Sequence, residues 1–454
     1  MNLKYKSTKK QKIIMSLALI SSFIVFVDST IVNLALPHIE SYFSPERSQL
    51  EWVINSYTLS FAAIMLGSGS LSDCLGPRKI FILGVSFFLF SSIACALSNS
   101  IFILNISRLI QGTGAALMLP SSLILATSTQ DDETKRSHTI GYWAAAGGIG
   151  LAAGPFLGGI LINFLGWESI FWVNVIICFS LLILGFNHLP KIAVKKRKLD
   201  ISGQLSATTC IAGLIFLLIE GPVLGWFNYW IAISFIIMLA SLITFIVVEK
   251  KTDSPILPND IFLNKTFLIS ILQGALFNFM FYGLLFALSF NFQLHYKLSS
   301  ILSGLAFLPF TGLVAVGNLT ASKLAMRQSR IHVLYLGQLI LITSLILILF
   351  FAKFHLPLWC TLLTLLFTGF SSGLLVPTMT AQTLSTVSKE LHGAASAAFN
   401  TSRQIGGAIG VAIFGPLLGV TASLERGFVI CLALASCSVF ISLLCNHFYY
   451  NKKT

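Results

Sequence analysis

Fourteen apolar runs follow one another along this chain between residues 13 and 445, separated by short polar connections. A bilayer span takes about 20 predominantly apolar residues at about 1.5 Å of rise each. In hydrocarbon each backbone amide must bond inside its own segment, so runs of that length become helices. They lie at 13–36, 52–71, 80–97, 101–125, 139–164, 169–189 and 201–219, then at 227–248, 267–290, 302–319, 331–351, 356–379, 393–420 and 428–445. With 56% hydrophobic and 10% charged residues, the chain has too little charge to cover a soluble domain of its size. The fold class is therefore an all-α integral membrane protein with fourteen transmembrane helices.

The net charge of +13 would suit a nucleic-acid partner if it formed a patch, but the cations sit in the loops. An even number of spans puts both termini on one side. That side carries 23 of the 29 Lys and Arg and the opposite loops carry 4, so both termini are expected in the cytoplasm. The Lys-rich start precedes a first run longer than a signal-peptide core, which reads as a retained span. Eight cysteines without CxxC spacing read as small buried hydrophobes, not as a disulfide framework or metal site.

Two polar stretches, a basic run at 191–200 and a segment at 249–265 containing Pro255 and Pro258, divide the spans as six, two and six. The expected organisation is a six-helix bundle at 1–190, a two-helix insert at 191–265 and a second six-helix bundle at 266–454. Gly112 and Pro120 in the fourth run match Gly369 and Pro377 in the twelfth, with the same separation. Gly154-Pro155 and Gly158 in the fifth match Gly415-Pro416 and Gly419 in the thirteenth. An offset of eight spans is what a six-span unit repeated around a two-span insert produces.

Inside this apolar framework Asp28 is the costly residue. A carboxylate at a span centre costs roughly 2.5–3.5 kcal/mol, which marks it for ion or proton work and calls for a partner. Its alternative is an acid facing a wet crevice or a neighbouring hydroxyl. Asp28 lies about 13 Å below the outer end of its run at Pro37, and Arg108 about 10 Å below that of the fourth, so the two share a depth. Arg108 could equally be a structural cation on backbone carbonyls. A second pattern, Gly69-Ser-Leu-Ser-Asp73-Cys-Leu-Gly76-Pro-Arg78-Lys79, falls in the turn after the second span. Its glycines allow close backbone approach, and its Asp and basic pair can latch a neighbouring helix end in one conformation. In the third, Gly147 to Gly159, small residues including Gly150, Gly154 and Gly158 recur around Pro155. It serves either generic small-residue packing or a hinge.

The Gly69–Lys79 loop resembles the signature of the major facilitator superfamily. Leu104 to Gly114 resembles its fourth-helix motif, and Gly150 to Gly159 the fifth-helix motif associated with antiporters. With Asp28 to Pro37 and fourteen spans, the chain is most similar to the fourteen-helix drug:proton antiporter family, along nearly its whole length. The resemblance implies a major facilitator fold of two six-helix bundles plus two inserted helices in the cytoplasmic (inner) membrane. It implies proton coupling through Asp28 and Arg108, a cytoplasmic gate at Gly69, Asp73, Gly76, Arg78 and Lys79, and a hinge at Pro155 with Gly415 and Pro416 as its repeat. Glu168 stands where the family often has a cation, and the tenth span lacks the acid that some multidrug members carry there.

The expected activity is alternating-access export of lipophilic, neutral or monocationic small molecules, driven by the proton gradient without a cofactor. The expected partners are the substrate, protons and the bilayer, with no nucleic acid, and the chain works as a monomer. Asn33, Tyr57, Gln111 and Arg403 are candidate cavity residues, although Arg403 could instead snorkel. A dedicated metabolite or siderophore exporter, a proton-symport importer and a non-transporting receptor or scaffold stay open. No nucleophile–base pair, phosphate loop or metal cluster argues for an enzyme.

Overall fold

The computed structural model describes residues 9–130, 133–192, 200–252, 264–325, 329–388, 391–420 and 423–450. These form fourteen long α-helices and no strand among the described residues. They are α1 (Lys9–Phe43), α2 (Arg47–Leu75), α3 (Pro77–Ala96), α4 (Ile101–Thr127), α5 (Glu133–Leu165), α6 (Ser169–His188) and α7 (Ile201–Leu224). The rest are α8 (Tyr229–Lys251), α9 (Lys265–Phe290), α10 (Ser300–Ala325), α11 (Arg330–Lys353), α12 (Leu358–Ser385), α13 (His392–Val420) and α14 (Leu424–Tyr450). A short π turn, Asn291–His295, continues α9.

Thirteen of the fourteen are long and apolar enough to cross a membrane. The remaining one, α13, carries Asn400, Thr401, Arg403 and Gln404 in its middle, which dilutes its hydropathy. Helix starts follow local chemistry. The side chains of Ser100, Asn228, Asn264 and Ser329 accept from first-turn amides of α4, α8, α9 and α11. Gly76, at φ 92°, makes the sharp joint between α2 and α3, with Pro77 opening the next helix. Several helices run past their apolar cores, α1 and α2 most of all. As a result Glu51, just outside the run that begins at Trp52, lies within α2 and is buried.

Packing repeats with the offset of eight. In the first six helices α1 packs on α5, α2 on α4, and α3 on α4 and α6; in the last six α9 packs on α13, α10 on α12, and α11 on α12 and α14. The two sets meet through counterpart pairs, α5 on α10 and α2 on α13. The intervening α7 packs on α8 and lies along α2 and α13. It is tied to α2 near both ends: Gln204 donates to the Ala63 carbonyl, and Trp52 Nε1 donates to Glu220 Oε1 at 2.9 Å. Of α8 only Ile231 and Glu249 are buried, so nearly the whole helix is left for lipid.

Away from the Lys-rich loops the two six-helix sets are sealed together. Gln293 Nε2 donates to the Leu34 carbonyl at 3.1 Å, and Ser300 Oγ meets His38 Nε2 at 3.1 Å. One apolar core runs from Ile31, Leu36 and Ile39 of α1 into Phe286, Phe290 and Phe292 of the α9 segment.

Candidate functional site

Asp28 is fully buried and receives three donors from two helices. Arg108 Nη1 on α4 donates to Oδ2 at 2.5 Å. Gln111 Nε2, one turn further along α4, donates to Oδ1 at 3.1 Å, and Asn174 Nδ2 on α6 donates to the same oxygen at 2.6 Å. Matching depth is thus accompanied by matching orientation. Charge-assisted hydrogen bonds of this kind are the strong ones, and a low-dielectric surrounding strengthens them further.

Arg108 is itself 1% exposed and is held on every side. Its Nε donates to the Val53 carbonyl of α2 at 3.0 Å, and Nη1 also reaches Gln111 Oε1 at 2.6 Å. Its guanidinium carbon stands 4.3 Å from the centre of the Tyr57 ring, a cation–π distance. Tyr57 is fixed in turn by its hydroxyl, which donates to the Val25 carbonyl of α1 at 3.1 Å, and Gln111 Nε2 also donates to Ser92 Oγ at 2.8 Å. The two sequence alternatives for Arg108 are therefore both present: it pairs with the acid and also bonds a backbone carbonyl.

Two of the expected cavity residues, Tyr57 and Gln111, are enclosed members of this cluster. Asn33 is buried on α1, donating to the Thr30 carbonyl of its own helix at 3.1 Å. Arg403 is the one of the four that is partly exposed. Its Nε donates to Asn278 Oδ1 of α9 at 3.2 Å, which turns it inward to the bundle rather than out towards the loops. Asn174 is the member of the Asp28 cluster that sequence reasoning misses. It lies within α6, where a neutral amide in an apolar helix carries no charge signal.

The glycine pattern of α5 divides between two neighbours. A Cβ at Gly150, Gly154 or Gly158 would run into α1 at Phe23, at Thr30 and Val27, or at Ile31, whereas one at Gly159 would run into α10 at Ser300 and Gly304. Small residues thus bring α5 against the helix that carries Asp28 and against the other six-helix set, and Thr30 Oγ1 donates to the Leu151 carbonyl at 3.2 Å. Pro155 lies inside α5 and Pro416 inside α13, without ending either helix. Gly415 faces across the halves as well, against the Glu51 carboxyl. At the α2–α3 joint Arg78 Nη2 donates to the Phe186 carbonyl near the end of α6 at 2.7 Å. Asp73 and Gly69 are partly buried there, and Lys79 is exposed.

A satisfied carboxylate–guanidinium pair inside an internally repeated bundle of membrane-length helices has the architecture of a multi-pass membrane transport protein. Residues 18–411 match the Major Facilitator Superfamily, to which the chain belongs. It is 33% identical over 403 residues to the methylenomycin A resistance protein of Bacillus subtilis, covering 88% of this chain and 86% of that one. It is 30% identical over 406 residues to the multidrug resistance protein Stp of Mycobacterium tuberculosis, covering 89% and 75%. A solved D-xylose–proton symporter superposes with a TM-score of 0.70 at 13% identity, covering 95% of this chain and 96% of that one, a likeness of fold. Fourteen helices together with resistance proteins as relatives fit the drug:proton antiporter branch of the superfamily.

Proposed function

We propose that this chain is a proton-coupled exporter that moves lipophilic small molecules, neutral or monocationic drugs among them, out of the cell by alternating access. The observation that carries the reading is Asp28, buried with its charge met by Arg108, Gln111 and Asn174. The names of the relatives, resistance proteins for methylenomycin A and for multiple drugs, support small-molecule export.

In this reading the Lys-rich loops lie in the cytoplasm of a bacterial cell and the chain is a monomer of the inner membrane. Residues 1–190 and 266–454 rock against each other, with 191–265 attached as an insert. The sealed end is then the outer one, and the structure faces inward. A proton reaching Asp28 from outside removes the charge that Arg108 pairs with and loosens α1 from α4. Loss of that proton to the cytoplasm restores the pair. Coupling follows if the paired and protonated states prefer different arrangements of the halves. Asp73, Arg78 and Lys79 with Gly69 and Gly76 form the inner gate; Pro155 and Pro416, with their flanking glycines, let α5 and α13 flex as the halves move.

Everted vesicles containing the protein test this directly. With an imposed proton gradient they should accumulate compounds from a drug panel, and a protonophore should stop accumulation. A chain that moves none of the panel in either direction is not a drug exporter, which leaves a dedicated metabolite or siderophore exporter or a non-transporting receptor or scaffold. Accumulation only in the opposite orientation makes it a symport importer.

A further inference from the structure

Arg403 is a second intramembrane cation, and the Asp28–Arg108 pair does not account for it. Among the described residues no carboxylate pairs with it; its partners there are Asn278 Oδ1 and, at 5.9 Å, the Phe399 ring. The Nε bond to Asn278 fixes the plane of the guanidinium and leaves the Nη1–Nη2 edge, the fork that matches a carboxylate, without a protein acceptor among those residues. Its aliphatic stem passes Gly274 of α9, where a larger side chain would displace it.

The position is central. Gly407, one turn along α13 from Arg403, lies against the Tyr282 ring, and Tyr282 is one turn along α9 from Asn278. The Tyr282 hydroxyl crosses to the other half and donates to Ser29 Oγ at 3.4 Å, beside Asp28. Arg403 thus sits on the Lys-rich side of the contact that joins the two halves beneath the Asp28 cluster, and it is partly exposed where its neighbour Asn278 is buried. Asp28 and Arg108 meet each other's charge, and Arg403 adds a further cation on the Lys-rich side of that pair. An unpaired guanidinium there is expensive, and an arriving counter-ion relieves that cost.

We propose that Arg403, positioned by Asn278 and flanked by Phe399 and Tyr282, binds the anionic group of the cargo, so that small lipophilic monoanions, carboxylates above all, are the preferred substrates. The proposal rests on the exporter reading and deepens it, shifting the favoured charge from neutral or monocationic to anionic. Export of a monoanion against proton entry also moves net positive charge inward, so an interior-negative potential drives it.

The test is equilibrium binding to the purified full-length protein in nanodiscs, with three labelled probes of one shape: naphthoate, its uncharged methyl ester, and the trimethyl(naphthylmethyl)ammonium cation. Wild type should bind naphthoate at least tenfold more tightly than the other two. Arg403→Gln should lose that preference while keeping its affinity for the ester, and Arg403→Lys should keep much of it. Retained ester binding certifies that the Gln variant is folded; if it is not, the wild-type charge preference and the Lys variant still decide. Equal binding of all three probes by wild type, or an equal loss of all three in Arg403→Gln, overturns the proposal and makes Arg403 a structural or coupling cation. Competitive displacement of naphthoate by anionic lipid in the disc overturns it as well, because the occupant is then a headgroup. Since binding is read without transport, an anion site in a protein that moves nothing would sink the exporter reading alone. Gradient-driven transport without charge preference would sink the anion site alone.

Discussion

Replacing Asp28 by Asn removes one charge and almost no volume, and the surrounding geometry sets the cost. Every group that faces the carboxylate is a donor: Arg108 Nη1, Gln111 Nε2 and Asn174 Nδ2. The new amide presents one oxygen and one NH2, so at least one donor meets another donor, and Arg108 is left charged and buried without its counter-ion. Breaking a buried pair from one side costs about 3–5 kcal/mol. Arg108 keeps the Val53 carbonyl and Gln111 Oε1 as acceptors, which places the loss near the lower end, about 3 kcal/mol. Adding Arg108→Gln removes the stranded charge, so the double variant should recover most of that loss while remaining uncoupled from protons. Unfolding followed by tryptophan fluorescence in detergent, run as a double-mutant cycle, reads the pair energy. A single variant as stable as wild type, or a double variant that simply adds the two losses, would refute the idea that charge pairing holds this cluster together.

Three further outcomes follow from the packing. Asn174→Leu deletes one donor to Asp28 and should destabilise the fold by about 1.5–3 kcal/mol, the range for a hydrogen bond to a charged group, in the same unfolding assay. Gly154→Leu forces side-chain atoms into Thr30 and the Val27 carbonyl, and should cost at least about 1–3 kcal/mol and slow transport, whereas the same change at Gly69, where a Cβ meets no neighbouring atom within 4 Å, should leave stability within about 0.5 kcal/mol. Gly415→Ala pushes against the Glu51 carboxyl inside the α2–α13 contact and should loosen the sealed end; spin labels at the exposed Ser41 and Ser299, beside the His38–Ser300 contact, should report a larger population at long distance than in the Gly415 protein.

The sequence revealed the architecture because hydrocarbon imposes its own length rule, and because an offset of eight survives in glycine and proline positions whatever the intervening residues. The pairing of Asp28 with Arg108 was legible for a similar reason: depth is a matter of counting. Azimuth was not legible, since helices with apolar residues on every face carry no stripe to say which way Tyr57, Gln111 or Asn33 points. Tyr57 and Gln111 looked equally suited to a drug cavity and turned out to grip Arg108 and Asp28. Asn174 gives no signal because it is neutral, and Glu51 gives none because hydropathy starts the second span at Trp52 while the helix begins at Arg47. For Arg403 the sequence leaves an even choice between lining the cavity and snorkelling, because the direction of a long side chain depends on partners such as Asn278 on another helix.

The claim at the centre of this account is that Asp28 carries the proton that drives transport. The direct measurement compares substrate exchange without a gradient and gradient-driven accumulation in the same reconstituted vesicles, for wild type and Asp28→Asn. Exchange needs only alternation of the halves, whereas accumulation needs the proton. Wild type should do both, with substrate-dependent proton movement, and Asp28→Asn should keep exchange while losing accumulation and proton movement together. Gradient-driven accumulation at the wild-type rate in Asp28→Asn would contradict the account.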